Sequence, residues 1–334
     1  MTRPKILLTN PIDPAGVRVL EQSADVLLAP KSDADTLRRL AADVDGIIVR
    51  AQLPGDIFDH AHRLCGVVRH GVGMDMIPVE AATAHGIPVA NVPGVNAEAV
   101  AEYCVSGMLL VVRRMHLIDR DLRATDWDES RRIADRATEL AGRTVGVIGV
   151  GSVGTRIAEI CHRGFCMRVL GHQRRLDALP AFVEGVSLDA LLGESDFVVL
   201  ACPLTDETRN LIDAQRLARM KPGACLINVA RGPIVDEEAL VRALREQRLG
   251  GAVLDVFANQ PLPRDHPLLG MDNVILTPHA AGITTESMRQ MSESAARDLL
   301  RIIAGERPVN FVNPRVWGAY IARRRTLGLE AAHA

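Results

Sequence analysis

The sequence predicts an α/β protein built on two doubly wound parallel sheets. Short apolar runs alternate with amphipathic stretches along almost the whole chain, the pattern of parallel strands joined by crossover helices. The runs are continuously apolar rather than alternating, so each sheet is expected to be covered on both faces. A length of 334 residues is more than one hydrophobic core usually organises, and two domains are expected.

The first series of strands is Ile6-Leu7-Leu8, Val26-Leu27-Leu28, Gly46-Ile47-Ile48-Val49, Val67-Val68 and Pro88-Val89-Ala90. Amphipathic segments such as 34–42 lie between them. A long helical stretch, 97 to about 123, separates this series from the next. The second series runs Thr144-Val145-Gly146-Val147-Ile148, Arg168-Val169-Leu170, Phe197-Val198-Val199-Leu200, Ala224-Cys225-Leu226-Ile227, Ala252-Val253-Leu254 and Val274-Ile275-Leu276. From Thr284 to about Ala304, the residues Met288, Met291, Ala295, Leu299 and Ile302 share one helical face. Gly305 and Pro308 should stop that helix. No strand follows it, so it is expected to pack back on the first unit. The last stretch, 321–334, is Arg-rich and then Ala-rich and is expected to fray.

Composition excludes several classes. With 48% hydrophobic and 24% charged residues the chain is neither disordered nor collagen-like. A net charge of -2 leaves no electrostatic footprint for nucleic acid. No apolar run approaches the roughly 20 residues that span a bilayer. The N-terminal MTRPKILLTN lacks the apolar core of a secretion signal. The six cysteines, at 65, 104, 161, 166, 202 and 225, form no CxxC pair. They read as buried, reduced thiols of a cytoplasmic protein, with no metal site and no disulfide framework.

Gly149-Val150-Gly151-Ser152-Val153-Gly154 is a G-x-G-x-x-G placed between an apolar strand and a helical stretch. In that context each glycine has a task. The first makes the tight turn, the second lets backbone N–H groups approach a pyrophosphate, and the third lets helix and strand pack closely. The helix N-terminus then faces the anion. An acid that would bind the ribose 2′-hydroxyl of NAD is expected about 20 residues on. Here the chain reads Gln173-Arg174-Arg175. Guanidinium groups bind a 2′-phosphate that a carboxylate would repel, so NADP is expected over NAD, with NAD still possible. The other reading of Arg174 and Arg175 is a solvated loop in an Arg-rich chain.

Taken together, these motifs resemble the D-isomer-specific 2-hydroxyacid dehydrogenase family, in its glyoxylate/hydroxypyruvate reductase-like branch. The resemblance rests on the glycine loop, on 228–236 (NVARGPIVD), on Asp255-Val256-Phe257 and on Thr277-Pro278-His279, in the family's order and spacing. Upstream, 71–75 (GVGMD) and 92–102 (VPGVNAEAVAE) add to it, and coverage runs from about residue 5 to 315. The resemblance implies a Rossmann dinucleotide domain, 99–284, inserted into a split flavodoxin-like substrate domain, 1–98 and 285–318. A C-terminal tail, 319–334, would follow. It also implies a homodimer formed through the inserted domain, with the active site in the cleft between the two domains.

Reducing a 2-keto acid requires a group that holds the carboxylate, a charge that polarises the carbonyl, and a proton donor. Arg231 lies just past a strand end, where open α/β sheets bind ligands, and its fork suits a carboxylate. By resemblance it is the catalytic arginine, and His279 is the acid/base histidine. The family usually places Glu at the position of Gln260, paired with the histidine. A carboxylate would favour imidazolium, whereas an amide can still orient the ring. By resemblance, Arg69, Val72, Gly73 and Asn96 are assigned to the substrate. Cys202 and Pro203 are assigned to the adenine end of the cofactor, Thr208 to a phosphate, and Val229, Ala230 and Asp255 to its nicotinamide end. The leading expectation is an NADPH-linked reductase of a small 2-keto or 2-hydroxy acid. Gln260 keeps two others open: a corepressor-like dinucleotide sensor, and a dehydrogenase of the formate or phosphite type.

Overall fold

A computed structural model describes residues 3–327. The chain divides into two compact units, with breaks after Asn96 and after Ile283. The second unit is thus an insertion within the sequence of the first.

In the first unit the strands are β1 (Lys5–Leu8), β2 (Asp25–Leu28), β3 (Gly46–Val49), β4 (Gly66–Arg69) and β5 (Val89–Ala90). They lie parallel in the order β2-β1-β3-β4-β5, the flavodoxin-like arrangement. The helix Thr285–Ala304 returns to this sheet and buries Met291, Ala295, Leu299 and Ile302 among Ile6, Ile48 and Val68. Its approach needs glycine on the strands beneath it. A Cβ at Gly46 would meet Leu299 at 2.9 Å, and one at Gly66 would meet Ile302 at 2.5 Å. Thr284 and Ser287 form a capping box at its start, and Gly305, at φ 87, ends it.

The expectation of a frayed tail is corrected as far as residue 327. The helix Trp317–Thr326 docks on the first unit, with Tyr320 and Arg324 buried. The Tyr320 hydroxyl donates to the Ile302 carbonyl and Arg324 donates to that of Ile303, so orphan carbonyls at the end of the returning helix are capped by side chains. Arg323 donates to the carbonyls of Ala61, His62 and Leu64. Residues 328–334 of the expected tail lie outside the described residues.

In the second unit the strands are β6 (Thr144–Ile148), β7 (Arg168–His172), β8 (Glu184–Gly185), β9 (Phe197–Leu200), β10 (Cys225–Asn228), β11 (Gly251–Leu254) and β12 (Val274–Leu276). All are parallel, in the order β12-β11-β10-β9-β6-β7-β8. The order reverses between β6 and β9, which makes that junction the topological switch point. β8 is only two residues long and carries no run that a sequence could flag. The long helix expected over 97–123 is broken. It runs Ala97–Arg113, Arg114 turns left-handed at φ 53, and a second helix follows over Met115–Ala124. No glycine or proline marks that break. Of the six thiols, Cys65, Cys104, Cys161 and Cys225 are buried and Cys202 is half-buried, but Cys166 is exposed at a helix end, contrary to the expectation for all six.

At the end of β4, buried His70 places Nε2 2.7 Å from Ser292 Oγ. That hydroxyl donates to the Met288 carbonyl and accepts from the Asp13 N–H. Its own proton is committed, so it accepts from the ring and Nε2 carries the hydrogen. Burial, then the charges of Arg50 and Arg69, push His70 down to about 4 from 6.5. Between those values the unfolded chain binds more protons than the folded one, so stability falls as the pH drops through that window. The full effect is on the order of 3 kcal/mol. Replacing His70 with Gln keeps a donor toward Ser292 and removes the titration. Urea midpoints of the variant should then decline less steeply than those of the parent over this pH range. Equal steepness would show that His70 does not govern acid sensitivity.

Candidate active site

The glycine loop closes β6 onto the helix Ser152–Phe165. Gly149 sits at φ 92, and a Cβ there would lie 2.6 Å from the Cys202 nitrogen. A Cβ on Gly154 would lie 2.1 Å from the Gly149 carbonyl oxygen. At Gly151 nothing lies within 4 Å, so the backbone there borders open space. No side chain caps this helix, and the N–H groups of Gly151, Ser152 and Val153 find no protein acceptor among the described residues. A loop with this open cradle and these unused donors fits a pyrophosphate.

The cradle opens into a cavity of about 720 Å³ at the switch point. Gly149, Val150, Gly151, Gln173, Arg174, Arg175, Cys202, Pro203 and Thr208 all line it, so the structure brings together most of the cofactor residues expected from sequence. Gln173 donates to the Arg175 carbonyl, which folds its side chain back on its own turn. The guanidinium groups of Arg174 and Arg175 make no ion pair among the described residues, and Glu207 is the carboxylate that also lines the cavity. Thr208 Oγ1 donates to the Pro203 carbonyl and accepts from the Thr205 N–H, so its hydroxyl shapes the loop.

The residues expected to do chemistry ride on the carboxyl ends of β10, β11 and β12, three adjacent strands. After β10, Asn228 Oδ1 accepts from the Ala230 N–H and its Nδ2 donates to the Arg231 carbonyl, which fixes the turn that carries Arg231. The Arg231 guanidinium donates to the Ala230 carbonyl at 2.7 Å. After β11, Asp255 is buried. Its Oδ1 accepts from Thr277 Oγ1 (2.6 Å) and the Ala280 N–H (2.7 Å), and its Oδ2 accepts from the Ala281 N–H (2.9 Å). Its carbonyl accepts from the His279 N–H at 2.8 Å. Of about four acceptor positions on the carboxylate, three are committed to the 277–281 turn. His279 is held there at φ 56, a conformation costly for a residue with a Cβ. Its ring Nδ1 lies 3.3 Å from Gln260 Oε1. An amide oxygen only accepts, so Nδ1 carries the hydrogen and Nε2 is the atom left for proton exchange.

Two further supports have no sequence signature. Tyr103 Oη lies 2.6 Å from Thr277 Oγ1, and because that hydroxyl already donates to Asp255, Tyr103 donates to it. Glu237 Oε2 accepts from the Ala258 N–H while Oε1 lies 3.3 Å from His266 Nε2, which braces the loop bearing Gln260. Both depend on side chains distant in sequence. In the first unit, the N–H groups of Val72 and Gly73 donate to nothing among the described residues. Arg69 donates to the carbonyls of Val49 and His70, and Asn96 Oδ1 is buried without a hydrogen bond.

Residues 105–281 match the family model for the D-isomer specific 2-hydroxyacid dehydrogenase, NAD binding domain. The chain belongs to this family. It is 38% identical over 327 residues to a glyoxylate reductase of Thermofilum pendens, a match that covers 95% of this chain and 96% of that one. Among solved structures it is similar to an NADPH-dependent glyoxylate/hydroxypyruvate reductase from Sinorhizobium meliloti in complex with NADP and malonate. That match has 31% identity and a TM-score of 0.83 over 93% of this chain and 97% of that one. A D-mandelate dehydrogenase of Rhodotorula graminis matches with 25% identity and a TM-score of 0.84, over 93% and 98% of the two chains.

The dehydrogenase is therefore an NAD(P)-dependent oxidoreductase of 2-hydroxy and 2-keto acids. The turn that carries His279 is held by the buried carboxylate of Asp255. Replacing Asp255 with Asn sets an amide NH₂ against one of the N–H groups of Ala280 or Ala281. An unsatisfied buried donor costs about 1–3 kcal/mol, and the 277–281 turn should loosen. We expect kcat to fall at least tenfold while the affinity for the dinucleotide, read by fluorescence titration, changes little. A variant with unaltered kcat would remove Asp255 from this role.

Proposed function

We propose that the dehydrogenase is an NADPH-preferring reductase of small 2-keto acids, with glyoxylate and hydroxypyruvate as the substrates to try first, and that it works as a cytoplasmic homodimer. The reading is carried by one arrangement: Arg231, Asp255 and His279 on successive strand ends of one sheet edge, with Gln260 against the histidine ring. When bound, the dinucleotide supplies the hydride. Arg231 holds the substrate carboxylate and draws electron density toward the ketone oxygen, and His279 delivers a proton from Nε2 to that oxygen as it becomes an alkoxide.

Arg174 and Arg175 support the coenzyme preference, because neither is engaged by an acid among the described residues. Helix Met115–Ala124 supports the dimer: none of its residues is buried, and Met115, Leu122 and nearby Trp127, 68% exposed, present apolar surface. The neutral partner of His279 favours a second reading, in which the donor is formate or phosphite and no proton is relayed to a substrate oxygen.

A panel of keto acids assayed with each coenzyme, with formate and phosphite included, separates these readings. NADPH should exceed NADH in kcat/KM for the keto acids. The Arg174→Ser/Arg175→Ser variant should lose at least tenfold with NADPH, through KM, and little with NADH. Turnover with NADH far above NADPH would overturn the coenzyme assignment.

Gln260→Glu tests the proton donor. Reduction needs protonated His279, so its rate falls as the pH rises through the histidine pKa. A carboxylate at 260 favours imidazolium and should move that falling limb up by about 1 pH unit. An unmoved limb would mean that residue 260 does not tune the histidine.

A further inference from the structure

The carboxylate that would read a ribose 2′-hydroxyl is missing after β7. Gln173, which stands in its place, has turned its amide NH₂ back onto the Arg175 carbonyl. Beside it is His172, the last residue of β7. This histidine is half-buried and lines the coenzyme cavity together with Arg174, Arg175 and Glu207. In a dinucleotide fold the adenosine ribose is held near the end of the strand that follows the glycine loop and its helix, which here is β7.

One bond fixes the ring. Nδ1 lies 3.0 Å from the carbonyl of Val186, the residue after β8. A carbonyl only accepts, so Nδ1 carries a hydrogen. Nε2 makes no hydrogen bond among the described residues and keeps accessible surface. What Nε2 can bind then depends on the charge of the ring. In the neutral ring it is a bare acceptor, which matches a hydroxyl hydrogen and repels a phosphate oxygen. In imidazolium it is a charged donor, which matches a phosphate oxygen and has no use for a hydroxyl hydrogen. Histidine is the side chain that passes between these states near neutral pH.

Most acids on the neighbouring elements are committed elsewhere: Glu184 of β8 and Glu194 to Arg168, and Asp189 to Arg219. Asp177, Asp206 and Arg209 on the flanking loops are exposed, where salt screens them. In the cavity wall, Glu207 favours imidazolium, whereas Arg174 and Arg175 oppose it until a phosphate offsets their charge.

We propose that His172 reads the 2′ position of the coenzyme ribose in both protonation states, so that the choice between NADP and NAD shifts toward NAD as the pH rises. This rests on the NADPH preference proposed above and deepens it: Arg174 and Arg175 supply constant charge, and His172 supplies the part that titrates. Gln173 does not titrate, so it cannot mimic this behaviour.

The probes are 2′,5′-ADP and 5′-AMP, which differ by the 2′-phosphate, titrated calorimetrically into the enzyme at fixed ionic strength from about pH 6 to about pH 8. The 2′-phosphate itself titrates near the lower end of this range, and that contribution is common to parent and variants. His172→Asn sets an amide NH₂ where Nδ1 stands, so the bond to Val186 is kept and Nε2 is lost. His172→Gln does the reverse and sets its amide where Nε2 stands. Across the range, the ratio of the two affinities should move toward 5′-AMP by about fivefold more in the parent than in either variant. At the acid end, the Gln variant should hold 2′,5′-ADP more tightly than the Asn variant. A ring that served only to brace β8 would give the opposite order. Equal pH dependence in the parent and both variants overturns the role of His172, even where 2′,5′-ADP stays the tighter ligand. Tighter binding of 5′-AMP at every pH, with Arg174→Ser/Arg175→Ser no different from the parent, overturns the coenzyme preference instead. Absence of saturable binding of both fragments to about 10 mM overturns both.

Discussion

The turn that carries His279 depends on a buried carboxylate. Asp255 ties the end of β11 to the turn that follows β12 through four hydrogen bonds, three at its side chain and one at its carbonyl. The tie helps to hold His279 in a left-handed conformation that its side chain makes costly. The carboxylate is satisfied by donors on all its occupied sides, which makes its burial tolerable. Tyr103, from the helix that covers this face, donates into the same network through Thr277. The turn that carries His279 is thus anchored to the core of the sheet and to a helix above it, and a site supported in this way keeps its geometry more tightly than one built on loops alone.

The two units illustrate different uses of one strand arrangement. In the second unit the order reverses between β6 and β9, and the loops leaving those strands part to form the coenzyme cavity. In the first the reversal falls between β1 and β3, whose ends carry Thr9 and Arg50. Thr9 Oγ1 accepts from the N–H groups of both Arg50 and Ala51, so that junction is closed by protein donors. The first unit spends its backbone donors internally there and leaves the N–H groups of Val72 and Gly73 open instead.

Much of the fold was legible because a strand covered on both faces is a continuous apolar run, and glycine and proline punctuate the chain between runs. The glycine loop and the strand-end positions of Arg231, Asp255 and His279 followed from local pattern and resemblance. The features that escaped have long-range causes. Arg114 breaks a helix with no breaker in the sequence. The Arg-rich stretch from 321 reads as a fraying end, yet Arg323 and Arg324 point at carbonyls supplied by segments far away in the chain. Tyr103 and Glu237 reach the site across 174 and 21 residues, separations that no spacing rule captures.

Gln260 shows how a single substitution within a fixed frame redistributes chemical capability. Oxygen and nitrogen of the amide are not equivalent toward the ring. With Oε1 on Nδ1, the neutral histidine carries its hydrogen on Nδ1, and Nε2 is the nitrogen that can accept a proton, the need of an oxidation of a 2-hydroxy acid. Reduction needs the same atom protonated, and a neutral amide gives that state no electrostatic support. The frame that holds the turn, Asp255 with Thr277 and Tyr103, does not touch residue 260, because it acts on the backbone of the turn and not on the imidazole. The backbone of the turn and the imidazole ring are therefore held by different groups, Asp255 with Thr277 the first and Gln260 the second.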